Sequence, residues 1–310
     1  MKSVKRDKAF YAQFWMTRTV ETWFSEPVSW WPYDKMWEML KEGEQPYPVH
    51  SVRAKILRWL GAVNTIGAGN VIMDGCANSR LPGAEMTFGP YLQLLNTLEV
   101  KYTFLPKRHC CGWFLLMYAN MPGAPPELWD DALSKVKALA IKNVEEAKKI
   151  KAKNIYQFCH MCHALAQLVD ADAKSMGVNQ GYGLDILKEP LEKVEKLRMV
   201  KPTKVGWYRG CWIAKKFLNP KLKIDFNTYR SWLDRIENLR IIDLPDELCC
   251  FTDMQEIMRI AKDNEIDYIV TPCNNCYAFL AVAGQPALML STLLLEAVTS
   301  KPVTKWSTIR

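Results

Sequence analysis

Hydrophobic positions along the 310-residue chain alternate between two spacings. Short apolar runs and period-two stretches read as strands, and apolar residues recurring every three to four positions read as helices. In the first half, strands are predicted at Asn70–Gly75, Val100–Leu105 and Asn154–Phe158, with helices over about Glu85–Leu98 and Pro126–Lys151. The second half repeats this grammar. Its strands fall at Lys204–Tyr208, Arg240–Leu244 and Ile266–Thr271, and its helices over about Tyr229–Leu239 and Asp253–Asn264. Strands alternating with helices imply an α/β fold built on small parallel sheets. The repeat implies two related domains, residues 61–190 and 200–310, with the segment Met176–Pro202, holding several glycines and charges, as the linker.

Two segments stand outside this repeat. Residues 1–60 hold six of the twelve tryptophans (Trp15, Trp23, Trp30, Trp31, Trp37 and Trp59) and no cysteine. Pro27, Pro32, Pro46 and Pro48 divide them into short pieces. Tryptophan suits both burial and interfaces. This Trp-rich extension is therefore expected to fold over the first domain or, alternatively, to meet a partner subunit or a lipid surface. Near the other end, Tyr277–Val298 is the longest apolar stretch. Gly284, Gln285 and Pro286 interrupt it, and Ser291, Thr292 and Glu296 add polarity, so a buried helix is expected over a membrane span.

The start of the chain has a charged head, no apolar stretch behind it and no twin-arginine pair. It predicts a cytoplasmic protein, with peripheral membrane contact left open. The net charge of +8 suits an acidic partner or a lipid surface, and equally an ordinary solvated exterior. No nucleic-acid-binding motif is present, so nucleic acid is not expected as a partner. In a reducing compartment, ten cysteines point to metal or redox chemistry over disulfides.

The cysteines fall into two copies of one pattern, C…CC…CxxC. The first set is Cys76, Cys110, Cys111, Cys159 and Cys162; the second is Cys211, Cys249, Cys250, Cys273 and Cys276. Each group lies just past the end of a predicted strand. Sites in open parallel sheets form outside the carboxyl ends of the strands, so each set of five should converge on one crevice. Thiolates are soft ligands that suit zinc and iron–sulfur centres. One zinc takes four ligands. Five thiols, two of them adjacent, suit a wider, multi-metal centre better.

The repeated C…CCG…CxxC resembles the cysteine-rich (CCG) domain of heterodisulfide reductase and its relatives. The likeness rests on Gly75-Cys76, Pro82-Gly83-Ala84-Glu85, Cys110-Cys111-Gly112 and the Cys159/Cys162 pair. It recurs at Gly210-Cys211, Cys249-Cys250 and Cys273/Cys276, and in the closing stretch Pro286–Leu295. The resemblance implies two iron–sulfur clusters, each a noncubane 4Fe–4S cluster held by one set of five cysteines. It also allows zinc or an altered cluster at one site. It implies a catalytic subunit that reduces or forms disulfide or sulfane bonds. Its partners would be a cubane iron–sulfur subunit, a flavin subunit, and a thiol or disulfide substrate such as a lipoyl or other carrier protein. The chain departs from the family at Phe251, where glycine usually follows the CC pair. The segment between CC and CxxC is also long in the first set and short in the second.

Three histidines, His109, His160 and His163, adjoin the first set. His109 is the candidate catalytic residue, placed to give a proton to a leaving thiolate. Arg209 and Lys215 flank Cys211 and offer charge to a thiolate or an anionic cluster, or are ordinary solvated charges. The CxxCH at Cys159–His163 also matches a haem attachment motif, but these cysteines complete a set of five and haem attachment needs export. Two other readings remain. One is an electron-transfer or membrane-docking subunit linking a flavin dehydrogenase to quinone. The other is a zinc-stapled scaffold.

Overall fold

The continuous apolar run Asn70–Met73 forms a strand, β1, buried along nearly its whole length, as a parallel strand covered on both faces must be. It belongs to a computed structural model that describes residues 33–42, 50–75, 84–121, 123–210 and 219–302. Helices α1 (Tyr33–Lys41) and α2 (His50–Trp59) precede β1. After it come α3 (Ala84–Thr97), α4 (Trp113–Tyr118), α5 (Leu128–Lys149), β2 (Asn154–Gln157), α6 (His160–Ala166), α7 (Asp170–Ser175) and β3 (Asn179–Tyr182). A 3-10 turn, Gly183–Leu187, leads into α8 (Lys188–Glu192). The second half comprises β4 (Leu197–Trp207), α9 (Phe226–Asp234), β5 (Ile236–Asp243), α10 (Met254–Asp263), β6 (Tyr268–Thr271), α11 (Asn274–Val282), β7 (Ala287–Met289) and α12 (Leu290–Thr299).

Both sheets are parallel throughout. The first has the order β1-β2-β3, and the second β5-β4-β6-β7. Val100–Leu105, expected as a strand, makes two isolated bridges: Thr103 pairs with Val71 on the free side of β1, and Tyr102 pairs with Asn64. That places it where β5 lies in the second sheet. The two halves therefore share one topology, and the expectation of an α/β fold with two related units on small parallel sheets holds. At the amino-terminal edge of the first sheet, Asn70, Asn154 and Asn179 stand in register and their amides bond in series, at 2.9 and 3.2 Å. This chain of amides ties the three strands together, side chain to side chain.

Helix α5 shows how pattern becomes position. Ala132, Val136, Leu139, Ala140, Asn143, Val144 and Ala147 fall on one buried stripe. Asp130 and Asp131 begin it and Lys148 and Lys149 end it, the arrangement the helix dipole favours. Asn143 is the polar member of that stripe, and its partners lie in the site described below.

The expected linker is structured. Residues 179–182 form β3 of the first sheet, and β4 begins at Leu197. Leu197 and Met199 are buried, while Arg198 and Val200, which alternate with them, are not, which is a period-two strand face. Charge and Pro202 disguised it. Pro202 sits where the pairing with β5 slips between Arg198 and Thr203, a place where a strand tolerates a missing donor.

The halves interlock. Helix α12 of the second packs on α3 of the first. In the reverse direction, the turn at Gly183–Leu187 meets α9: the Tyr229 hydroxyl donates to Asp185 at 2.9 Å. Arg235, just past α9, donates to the carbonyls of Leu191 and Val194. Tyr182, ending β3, donates its hydroxyl to Pro272, directly before Cys273, at 2.5 Å. Each half thus covers a helix of the other: α12 lies on α3, and the Gly183–Leu187 turn meets α9. The expected apolar stretch at 277–298 is split into α11, β7 and α12, with the chain turning through Gly284 at φ +80°. No helix among the described residues is long and apolar enough to cross a membrane.

Candidate metal centre

Every described cysteine lies beyond the carboxyl end of a strand or of the short edge segment. The two CxxC motifs are built alike. Cys159 caps α6 directly after β2, and Cys273 caps α11 after β6; both have extended backbone. The carbonyl of Cys159 accepts from the amide of His163, and that of Cys273 from the amide of Tyr277, each at 2.9 Å. The extended residue ends the strand while its carbonyl starts the helix. Two thiols thus leave one helical turn on the same side.

The CC pairs sit on loops after the edge segment and after β5. Gly112, following Cys110-Cys111, has φ +78°, and a Cβ there would stand 2.8 Å from Val136 Cγ2. Glycine is required at that position for both space and conformation. Phe251, its counterpart, is not among the residues with positive φ. Its ring meets Phe279 edge-on, centroids 5.2 Å apart, on the helix that carries Cys276. The departure from glycine therefore reflects a different loop path.

Within each half the thiols meet. Cys162 lies within hydrogen-bonding reach of Cys111 and Cys159, and Cys250 of Cys249 and Cys276. The contact between the second cysteine of CC and the last of CxxC is the same in both. Bonding to Cys162 holds the Cys159 thiol below its ordinary value, and Cys111 and then Cys159 push Cys162 well above it. In the second set, Cys250 brings Cys249 down to about 7 against its burial, with help from the amides of Phe251 and Thr252. Cys249 in turn pushes Cys250 well up. Each set therefore pairs one thiol drawn below its ordinary value with one pushed above it, as expected of thiols in contact that titrate together.

The two sets also share an interior. Cys110, Cys159, Cys162, Cys250, Cys273 and Cys276 belong to one buried cluster, and Cys159 and Cys273 are close enough to affect each other's charge. Cys76 and Cys211 lie outside the described residues, as do Lys215 and residues 1–32 and 43–49 of the Trp-rich extension. Of that extension, α1 packs Met36 and Leu40 into the first thiol set's surroundings. Trp59 is 63% exposed.

The surroundings of the CC loops contain residues that motif reading missed. Asn143 grips the backbone before Cys110: its carbonyl accepts from the His109 amide at 2.8 Å and its amide donates to the His109 carbonyl at 3.0 Å. In the second half Tyr208 does equivalent work. Its hydroxyl accepts from the Cys250 amide at 2.7 Å and donates to the Leu248 carbonyl at 3.0 Å. Asp74 pairs with Arg108, and Arg209 with Asp246 at 2.6 Å. Aligning the two Gly-Cys dipeptides would have exposed these pairs in the sequence, since they set Asp74 opposite Arg209. Asn143 was legible as a lone polar residue on an apolar helix stripe.

The histidines separate in role. His109 lines a small pocket with Gly75, Arg108, Cys110, Cys111 and Cys162. Its Nδ1 is buried without a partner among the described residues. Burial, then Lys142 and Lys107, hold its imidazole below the ordinary value. The His160 ring packs against Tyr182 at a tilt of 47°, centroids 4.5 Å apart. His163 bonds through Nε2 to the Lys223 carbonyl at 3.1 Å, tying α6 to the second half. Arg209, expected beside a thiolate or a cluster, has its charge engaged by Asp246.

The donor set fits a thiolate-ligated group. The described thiols are buried apart from the half-buried Cys111. A Cβ at Gly210 would stand 2.8 Å from Cys276 Sγ, so the backbone before Cys211 approaches as closely as a residue can. Among the described residues, no three His, Cys, Asp or Glu side chains form a ready-made site for a single ion.

Two solved structures show weak likeness. One is an aspartate racemase homologue from Pyrococcus horikoshii OT3, 12% identical, covering 76% of this chain and 98% of that one, TM-score 0.33. The other is a glutamate racemase isoform from Bacillus anthracis, 12% identical, covering 77% and 82%, TM-score 0.27. At these scores neither bears on fold or function. No curated protein matches the chain. A family model, CCG, described as a cysteine-rich domain, matches residues 71–166 and 251–281. Those residues hold all five cysteines of the first set and the CxxC of the second, and the match supports a metal-binding redox role for them.

Proposed function

We propose that the chain is the iron–sulfur catalytic subunit of a heterodisulfide-reductase-like complex, reducing or forming disulfide or sulfane bonds at two noncubane 4Fe–4S clusters. One observation carries the reading: two thiol sets with matching contacts sit at matching strand ends of two repeats and share one buried interior. Cys76, Cys110, Cys111, Cys159 and Cys162 would hold one cluster, and Cys211, Cys249, Cys250, Cys273 and Cys276 the other. Bound clusters supply single-electron exchange with sulfur. The chain's own part is to keep water from that exchange and to present the thiols. Reducing one disulfide to two thiols takes two electrons and two protons. A cubane iron–sulfur subunit and a flavin subunit are the proposed electron partners. His109, beside Cys110, is the proposed group for moving a proton. A lipoyl or other carrier protein is the proposed source of the disulfide.

Iron and acid-labile sulfide analysis of the anaerobically purified chain tests this, with low-temperature EPR after oxidation by a thiol substrate. Cys110→Ser and Cys249→Ser should each diminish the metal content and one of two signals. Zinc without sulfide, or full signals in both variants, overturns the reading.

A second reading, a subunit docking a flavin dehydrogenase to quinone at a membrane, is favoured by one observation. Trp59 ends α2 exposed, and Ile66 in the next loop is 93% exposed, beside the exposed Lys55 and Arg58. Apolar side chains among basic ones suit an anionic lipid surface. Quinone-dependent activity that returns with added membranes, and is lost in Ile66→Ser, would select it.

A further inference from the structure

The two repeats carry one fastening with its charges reversed. Asp74 and Arg209 each stand directly before the glycine of a Gly-Cys dipeptide. Asp74 reaches Arg108, on the loop leading to Cys110-Cys111, and Arg209 reaches Asp246, on the loop leading to Cys249-Cys250. In the first half the acid is on the strand end and the base on the loop; in the second half the order is inverted. Such an exchange keeps a bridge between the same two elements.

The surroundings differ. The side chains of Arg108 and Asp74 are 2% and 0% exposed, while those of Arg209 and Asp246 are 36% and 57% exposed. Salt and water screen the second pair and barely reach the first. The neutral fastenings differ as well. Asn143 holds both backbone groups of one residue, His109, from a 22-residue helix. Tyr208 spans two residues of its loop with a single hydroxyl.

We propose that Arg209 and Asp246 form a salt-sensitive clasp that positions the Cys249-Cys250 loop, so that the second centre opens before the first. Arg209 acts here as a positioning residue. The metal readout rests on the iron–sulfur reading above; the backbone readout does not.

Hydrogen exchange of the full chain as purified, resolved for peptides spanning residues 244–253 and 105–112, measures the opening of each loop. High salt should speed exchange in 244–253 about two- to fivefold, the range of an exposed pair, and leave 105–112 unchanged. Arg209→Ala should do so at low salt and remove the salt response. The charge-exchanged double variant R209D/D246R should restore the slow exchange. In parallel, chelator should remove one EPR signal faster from Arg209→Ala than from the wild type, and the double variant should reverse this. Equal exchange in wild type and Arg209→Ala, or a double variant that behaves like the single one, overturns the clasp. A wild type without iron and sulfide overturns the cluster reading instead, and the exchange data still decide the clasp.

Discussion

A charge removed from inside the first half and one removed from the surface of the second should cost very different amounts. Asp74→Ala leaves the Arg108 guanidinium, 2% exposed, without its carboxylate. Removing one partner of a buried ion pair costs about 3–5 kcal/mol. Arg209→Ala breaks a solvated pair, worth at most about 1 kcal/mol. Urea denaturation of the two variants should separate them by several-fold in ΔΔG, and similar losses would refute the burial argument. Tyr208→Phe belongs between them. It keeps the ring packing but strands the buried Cys250 amide, at about 1–3 kcal/mol. The same denaturation measurement checks it.

Among elements, α9 shows what a cap is worth. The Asp225 side chain accepts from the Thr228 amide at 3.1 Å and faces Lys188 at 3.0 Å. Burial acts to raise its pKa, yet the Thr228 hydroxyl, Lys188 and the Thr228 amide together hold it below the usual carboxylate range. A depressed folded value means the contribution is present above the unfolded pKa and is lost as pH falls through the folded one. Asp225→Ala should therefore cost about 1 kcal/mol near neutrality and progressively less below pH ~4, which thermal melts across that range would read. The amphipathic helices were legible because periodicity is local: α3, α5 and α10 lie within a few residues of their predicted bounds. The start of β4 was not, since its alternation runs through Lys201 and Pro202, residues whose local preference is for a loop. The edge segment at Tyr102–Thr103 was read as a full strand because its alternation is real, but it makes only two isolated bridges, Tyr102 with Asn64 and Thr103 with Val71.

At the scale of the molecule, the thiol groups at strand ends were legible because the order of strand, cysteine and helix implies them. Their shared interior was not. It depends on α12 covering α3 and on the Gly183–Leu187 turn meeting α9, contacts between segments far apart in sequence. That interlock has a thermodynamic consequence. Phe88, Leu92 and Leu95 of α3 share one buried cluster with Leu290, Leu293 and Leu294 of α12, and with Trp232 and Leu233 of α9. Cutting the chain between the halves would expose apolar faces on both pieces, at roughly 25 cal/mol for each Å². Neither half should then fold alone, and the intact chain should unfold as one cooperative unit. Urea unfolding followed by tryptophan fluorescence and by far-UV circular dichroism should give coincident transitions. Residues 1–195 and 196–310, produced separately, should each lack the sharp transition of the whole and regain it on mixing. Two separated transitions in the intact chain, or a half that melts cooperatively alone, would show that the repeats are independent and that the shared thiol interior is not held by the exchange of helices.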